Sequence, residues 1–122
     1  QIIVAANIEA LSEALVLSKK AGLDPKVVLN AIQGGLAGST VMNAKGPMMA
    51  EGNFTPGFRI KLHQKDLNNA LMTAKELGVS IPVTGLIQQM ITSLVNEGKG
   101  ELDHSGIATF IENISGIKIS SD

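Results

Sequence analysis

The sequence contains no cysteine, no tryptophan and no tyrosine, and only three phenylalanines in 122 residues. Without cysteine there is no disulfide framework, no thiolate metal site and no cysteine nucleophile, which fits a reducing compartment. So few aromatic rings leave no platform on which nucleic-acid bases could stack. Charge is balanced as well as sparse: 10 basic residues nearly cancel 11 acidic ones, for a net charge of −1. No basic excess remains to neutralise phosphates, so no nucleic-acid partner is expected. No apolar run approaches the roughly 20 residues of a spanning helix, and no basic-then-apolar leader layout occurs. The expectation is no membrane and, by default, a soluble cytoplasmic protein. What the chain does have is 44% apolar residues. That is enough Ile, Leu, Val, Ala and Met for one small domain over 1–122.

Helical periodicity recurs along the chain and no segment alternates with the period of a strand, which predicts an all-α bundle of about six helices. The opening QIIVAANIEALSEALVLSKKAG has no initiator Met, no Ser, Thr or Asp cap, and apolar residues from Ile2 onward. Such a beginning reads as the middle of a helix, and the chain as a piece of a longer protein. Apolar side chains point in almost every direction from this segment, as in a buried central helix, so Asn7, Glu9, Ser12 and Glu13 need partners or water. Asp24-Pro25 is a cap followed by a first-turn proline, opening a short helix through about Gln33. Ser39 or Thr40 caps a third helix that Pro47 should bend or shorten. The longest internal helix is expected from about Phe58 to Leu77, with Ile60, His63, Leu67, Ala70, Leu71, Ala74 and Leu77 on one stripe and Gly78 as its stop. From Pro82 to Gly98 a second stripe runs through Val83, Leu86, Ile87, Met90, Ile91, Leu94 and Val95. Asp103 or Ser105 caps a last helix carrying Ile107, Phe110, Ile111 and Ile114, and the tail IKISSD is expected to fray.

Few residues offer chemistry. His63 and His104 each lack a second histidine or a carboxylate at metal-ligand spacing on one helix face, so no metal site is expected. His63 falls on an apolar stripe and reads as a core or boundary residue, His104 as a surface or capping residue. Glu9 and Glu13, one turn apart, could form a carboxylate pair for acid–base work, although capping or interhelical hydrogen bonds are the commoner use. The IQGGLAGS loop follows a helix, lacks the G-x-G-x-x-G spacing, and reads as helix termination plus a tight turn. Met42, Met48 and Met49 read as gap-filling core or interface residues. In HQKDLNNAL, Lys61, Lys65, Asn68 and Asn69 lie off the apolar stripe with Asp66 at its edge. Such a face can hold a phosphate or carboxylate, or simply be solvated.

In order and with their gaps, NIEALSEALVLSKKAGLDP (Asn7 to Pro25), IQGGLAGSTVMNAKGPMM (Ile32 to Met49), NFTPGFRIKLHQKDLNNAL (Asn53 to Leu71) and LDHSGIA (Leu102 to Ala108) resemble the C-terminal helical domain of the β-hydroxyacid dehydrogenases, the 3-hydroxyisobutyrate dehydrogenase-related family. The GGLAGST and FRIKLHQKDL wording is closer to the members that reduce tartronate semialdehyde (2-hydroxy-3-oxopropanoate) to glycerate than to those acting on 3-hydroxyisobutyrate. The resemblance implies the helical fold of the 6-phosphogluconate dehydrogenase C-terminal domain, serving substrate binding and dimerisation. It also implies an N-terminal Rossmann domain, absent from this chain, that binds NAD or NADP, and a homo-oligomer. The family's catalytic lysine lies in a K-x-x-N-[NQ] motif whose last position matches Gln1, so no catalytic residue is expected within the chain and Gln1 is the candidate for the substrate pocket. By the same resemblance Lys65 matches a lysine that reaches the cofactor, Asp66 an acid near the cleft, and Phe58 a residue of the cleft wall. The isolated chain is then expected to be inactive. The rival reading is a free-standing helical module that takes a partner helix in an apolar groove; a strand–GxGxxG–helix segment encoded upstream would discriminate against it.

Overall fold

The computed structural model describes residues 1–121. Helix α1 (Ile2–Lys20) runs through the middle and touches every other helical element. These are α2 (Pro25–Ile32), α3 (Thr40–Glu51), α4 (Ile60–Leu77), α5 (Pro82–Asn96), a 3-10 helix (His104–Ile107) and α6 (Ala108–Ser115). Among the described residues no sheet forms, only an isolated antiparallel bridge between Arg59 and Asp103. The fold is therefore all-α, as the periodicity predicts, and among the described residues no helix is long and apolar enough to cross a membrane.

The helix ends follow from local chemistry. Asp24 accepts from the Lys26 amide and Pro25 opens α2, while Ser39 accepts from the Met42 amide at the start of α3. Gly78 closes α4 at φ +70, a conformation costly to any residue with a Cβ. In the IQGGLAGS loop the tight turn is real: a Cβ at Gly38 would sit 2.1 Å from the Gln33 carbonyl oxygen. That turn, not phosphate binding, accounts for the glycine.

Several expectations need correction. Helix α3 runs through Pro47 without being shortened, because Met49 and Ala50 beyond the proline are buried and packing outweighs the lost hydrogen bond. The second stripe is narrower than its periodicity suggests. Thr84, Ile87, Ile91 and Leu94 are buried, whereas Leu86 is 60% exposed, lying roughly 100° round the helix from Ile87. Val83 in the first turn of α5 and Leu77 at the end of α4 are exposed too. The tail does not fray: Ile119 is fully buried and its amide donates to the Glu112 carboxylate at 2.7 Å. Asp122 lies outside the described residues.

On α1 the buried face comprises Ala5, Ile8, Leu11, Leu15 and Val16, with Ile2, Ile3 and Leu17 exposed. Of the polar residues Asn7, Glu9, Ser12 and Glu13, three settle locally or face water. Asn7 and Ser12 donate to the carbonyls of Ile3 and Ile8 one turn back, and Glu13 is exposed. Glu9 is different: it is buried and neither carboxylate oxygen has a hydrogen-bond partner. The expected capping or interhelical bond does not form.

Candidate functional site

The start of α4 is built by the loop that precedes the 3-10 helix. Arg59 at the N-cap offers no side-chain cap, and the first free amides of the helix are satisfied from outside. Ile60 donates to the Leu102 carbonyl at 2.8 Å and Lys61 to that of Gly100 at 3.0 Å. Phe58 is clamped from both sides, its amide on Asp103 Oδ1 at 2.9 Å and its carbonyl receiving the His104 amide at 2.7 Å.

Asp103 is the knot of this region. Its fully buried carboxylate accepts from the amides of Gly57, Phe58 and Ser105 and from the Ser105 hydroxyl, and pairs with Lys45 at 3.1 Å. Burial alone would raise its pKa; the Ser105 hydroxyl and the three amides overcome that and hold it well below the usual carboxylate range.

Next to the knot lie both histidines. His104 is buried rather than on the surface, because Asp103 caps the 3-10 helix from within the fold and turns the following residue inward. His63 is fully buried, in keeping with its place on the α4 stripe. The two rings meet, Nδ1 to Nδ1, at 2.9 Å, and Phe58 packs against both with centroids 5.7 and 5.1 Å away. His63 Nε2 lies 3.2 Å from the Gln1 carbonyl oxygen. The histidines are therefore not isolated from one another, although no group of three or more potential ligands that could hold a metal exists among the described residues.

Gln1 and Asp66 line one open hollow of about 420 Å³ at the N-terminal end of α1, together with Ile2, Ile3, Asn69 and Ala70. Phe58 packs against His63, whose Nε2 meets the Gln1 carbonyl. Lys65 is exposed beside Asp66 on α4 but does not line the hollow, and it enters no ion pair among the described residues. Its neighbour Lys61 is held by the Glu101 carboxylate, so the anion-binding face read from two lysines comes down to one unengaged ammonium. Of the four candidates, Gln1 and Asp66 line one hollow, Gln1 and Phe58 each touch His63, and Lys65 stands exposed next to Asp66. The pairing of His63 with His104 escaped the sequence reading because 41 residues separate the two histidines and no helical spacing connects them.

Residues 1–111 match the family profile described as NAD-binding of NADP-dependent 3-hydroxyisobutyrate dehydrogenase. The chain belongs to this family. Over 120 residues it is 44% identical to the 2-hydroxy-3-oxopropionate reductase of Escherichia coli (strain K12), an alignment covering 98% of this chain and 41% of that protein. It is 33% identical to the probable 3-hydroxyisobutyrate dehydrogenase-like 1, mitochondrial, of Arabidopsis thaliana, covering 99% of this chain and 36% of the relative. The crystal structure of a 3-hydroxyisobutyrate dehydrogenase from Salmonella typhimurium superposes with a TM-score of 0.84 at 27% identity, covering 89% of this chain and 38% of that one. The chain thus spans about two fifths of the length of these 3-hydroxyisobutyrate dehydrogenase-family proteins.

Proposed function

We propose that residues 1–122 are the C-terminal helical domain of an NAD(P)-dependent reductase that converts tartronate semialdehyde to glycerate in the cytoplasm. The observation that carries the reading is the convergence of Gln1, Asp66 and Phe58 on one end of the bundle, beside Lys65. An exposed ammonium without a carboxylate partner suits a cofactor phosphate or carboxamide, and a hollow edged by a glutamine and an asparagine suits a small hydroxylated substrate. The bound nicotinamide supplies the hydride. In this reading Lys65, Asp66 and Phe58 serve the cofactor side, Phe58 as a dry wall of the cleft, and Gln1 meets the substrate. The catalytic lysine and the Rossmann domain precede Gln1. The exposed Ile2, Ile3 and Leu17 of α1 support a homo-oligomer or a domain contact there. Leu11, buried within the chain, takes no part in such a contact.

The test is steady-state reduction of NAD+ and NADP+ by the chain joined to its own Rossmann domain, with the two alcohols glycerate and 3-hydroxyisobutyrate as competing substrates. Glycerate should give the higher kcat/KM; preference for 3-hydroxyisobutyrate would assign the domain to that other activity. Lys65→Ala should raise the cofactor KM roughly ten-fold through loss of an ionic contact while leaving the fold intact. An unchanged cofactor KM would return Lys65 to a merely solvated face. The 122-residue chain alone should show no turnover above buffer.

A further inference from the structure

His63 and His104 share a hydrogen bond in the buried layer beneath the N-terminal end of α1, and their partners fix which nitrogens carry protons. A carbonyl oxygen only accepts, so His63 Nε2–H donates to Gln1. Burial lowers the His63 pKa, against the Gln1 carbonyl and the Asp66 carboxylate, which favour the cation. The neutral ring then presents a bare Nδ1, and this atom must accept the proton of His104 Nδ1. Burial first, then the Lys45 ammonium, hold His104 down to about 4 in spite of the Asp103 carboxylate. The Gln1 carbonyl also receives the Ala5 amide at 2.9 Å, so it is the opening hydrogen bond of α1 and the anchor of that helix to α4 at once.

We propose that His63 and His104 act as one neutral pair of fixed tautomers that positions the first carbonyl of α1, and with it the segment running into that helix. The proposal rests on the functional reading above, in which that segment carries the catalytic lysine. His63 and His104 touch no reacting atom; they are positioning residues for a group that must meet the substrate within a narrow geometry.

Long-range ¹H–¹⁵N correlation spectra of the histidine-labelled chain read the tautomers directly. The expected result at pH 7 is His63 protonated on Nε2, His104 on Nδ1, and both neutral. A proton on His63 Nδ1, or two rings titrating independently near the free-histidine value, overturns the pair. His63→Leu deletes the donor to Gln1, whereas His63→Gln keeps one. Hydrogen exchange at the Ala5 amide should quicken about ten-fold or more in the leucine variant, stay near wild type in the glutamine variant, and leave the Ile91 amide unaffected in both. Equal exchange in the two variants overturns the anchor. Should the leucine variant not fold, His104→Phe, which removes only the donor to His63 Nδ1, takes its place with the same expected and overturning outcomes. In the two-domain enzyme, His63→Leu should lower kcat about ten-fold with cofactor KM changed less than about two-fold, and glutamine should restore it. A wild-type enzyme without hydroxyacid activity would sink the functional reading while the tautomers and the exchange pattern stand. An active enzyme whose kcat ignores His63→Leu sinks the positioning role alone.

Discussion

Asp103 and Glu9 are both buried carboxyls in one small fold, at 0% and 6% exposure, and their pKa values move in opposite directions. Around Asp103 three backbone amides, a hydroxyl and an ammonium converge, so the charged form is favoured despite burial. Around Glu9 no comparable set of donors gathers, and neither carboxylate oxygen finds a backbone amide, a hydroxyl or an ammonium. Burial, and then the neighbouring Glu13 carboxyl, push its pKa up to about 8. The difference teaches that depth alone decides little. What decides is whether the chain delivers donors to the same place, and only the knot between the start of α4 and the 3-10 helix does so.

The sharpest way to break the comparison is Asp103→Ala, which strands the amides of Gly57, Phe58 and Ser105 and leaves Lys45 unpaired. The expected cost is about 3–5 kcal/mol in urea unfolding at neutral pH. A loss under about 1 kcal/mol would mean that water replaces the carboxylate and that the knot is dispensable. The pH profile has a stated direction: the folded pKa lies below the 3.8 of the free group, so the stability from Asp103 is complete above that value and disappears as the pH falls beneath it. His104 adds to acid sensitivity, since its pKa drops from 6.5 to about 4 on folding and the unfolded chain takes up a proton first across that window.

An apolar yardstick sets the scale for both carboxyls. Ile91→Ala should cost about 2–5 kcal/mol for lost burial plus cavity, and Leu86→Ala less than about 0.5 kcal/mol because that side chain is already 60% exposed. Equal effects would mean that the outer face of α5 is covered by something outside the chain.

A pH series sharpens the Glu9 half. The fold favours its protonated form, so its contribution is complete below the 4.5 of the free group and is lost as the pH rises from there to about 8, by at most about 1.4 kcal/mol per pH unit. Glu9→Gln removes that slope. His104 titrates in both chains and cancels in their difference, so the wild-type and variant curves should separate steadily between 4.5 and about 8. Parallel curves across that interval would show that Glu9 is already ionised in the folded chain.

Much of this architecture was readable in advance, and the gaps have a common cause. Asp24, Ser39 and Gly78 mark helix ends through local hydrogen bonds or φ preference, so three or four residues suffice to read them. Which apolar residues of a stripe are covered depends on neighbours far off in sequence, and Leu86, Leu77 and Ile119 were misjudged for that reason. Lys65, Asp66 and Asn69 stand on the polar side of α4, visible from spacing. The link from His63 to His104 and Gln1 is long-range at every step, and two histidines on separate helices give no periodic signal.

The central place of α1 has a consequence for how the chain is made. Its apolar face is synthesised first, while its cover is synthesised last; Lys20 finds the Ser115 carbonyl 95 residues downstream. At roughly 5–20 residues per second, Ile8, Leu11 and Leu15 wait about 5–20 s on the ribosome without α6. A nascent chain stalled before Ala108 should accordingly remain sensitive to protease within α1, and cooperative protection should arrive only once the final helix has cleared the exit tunnel.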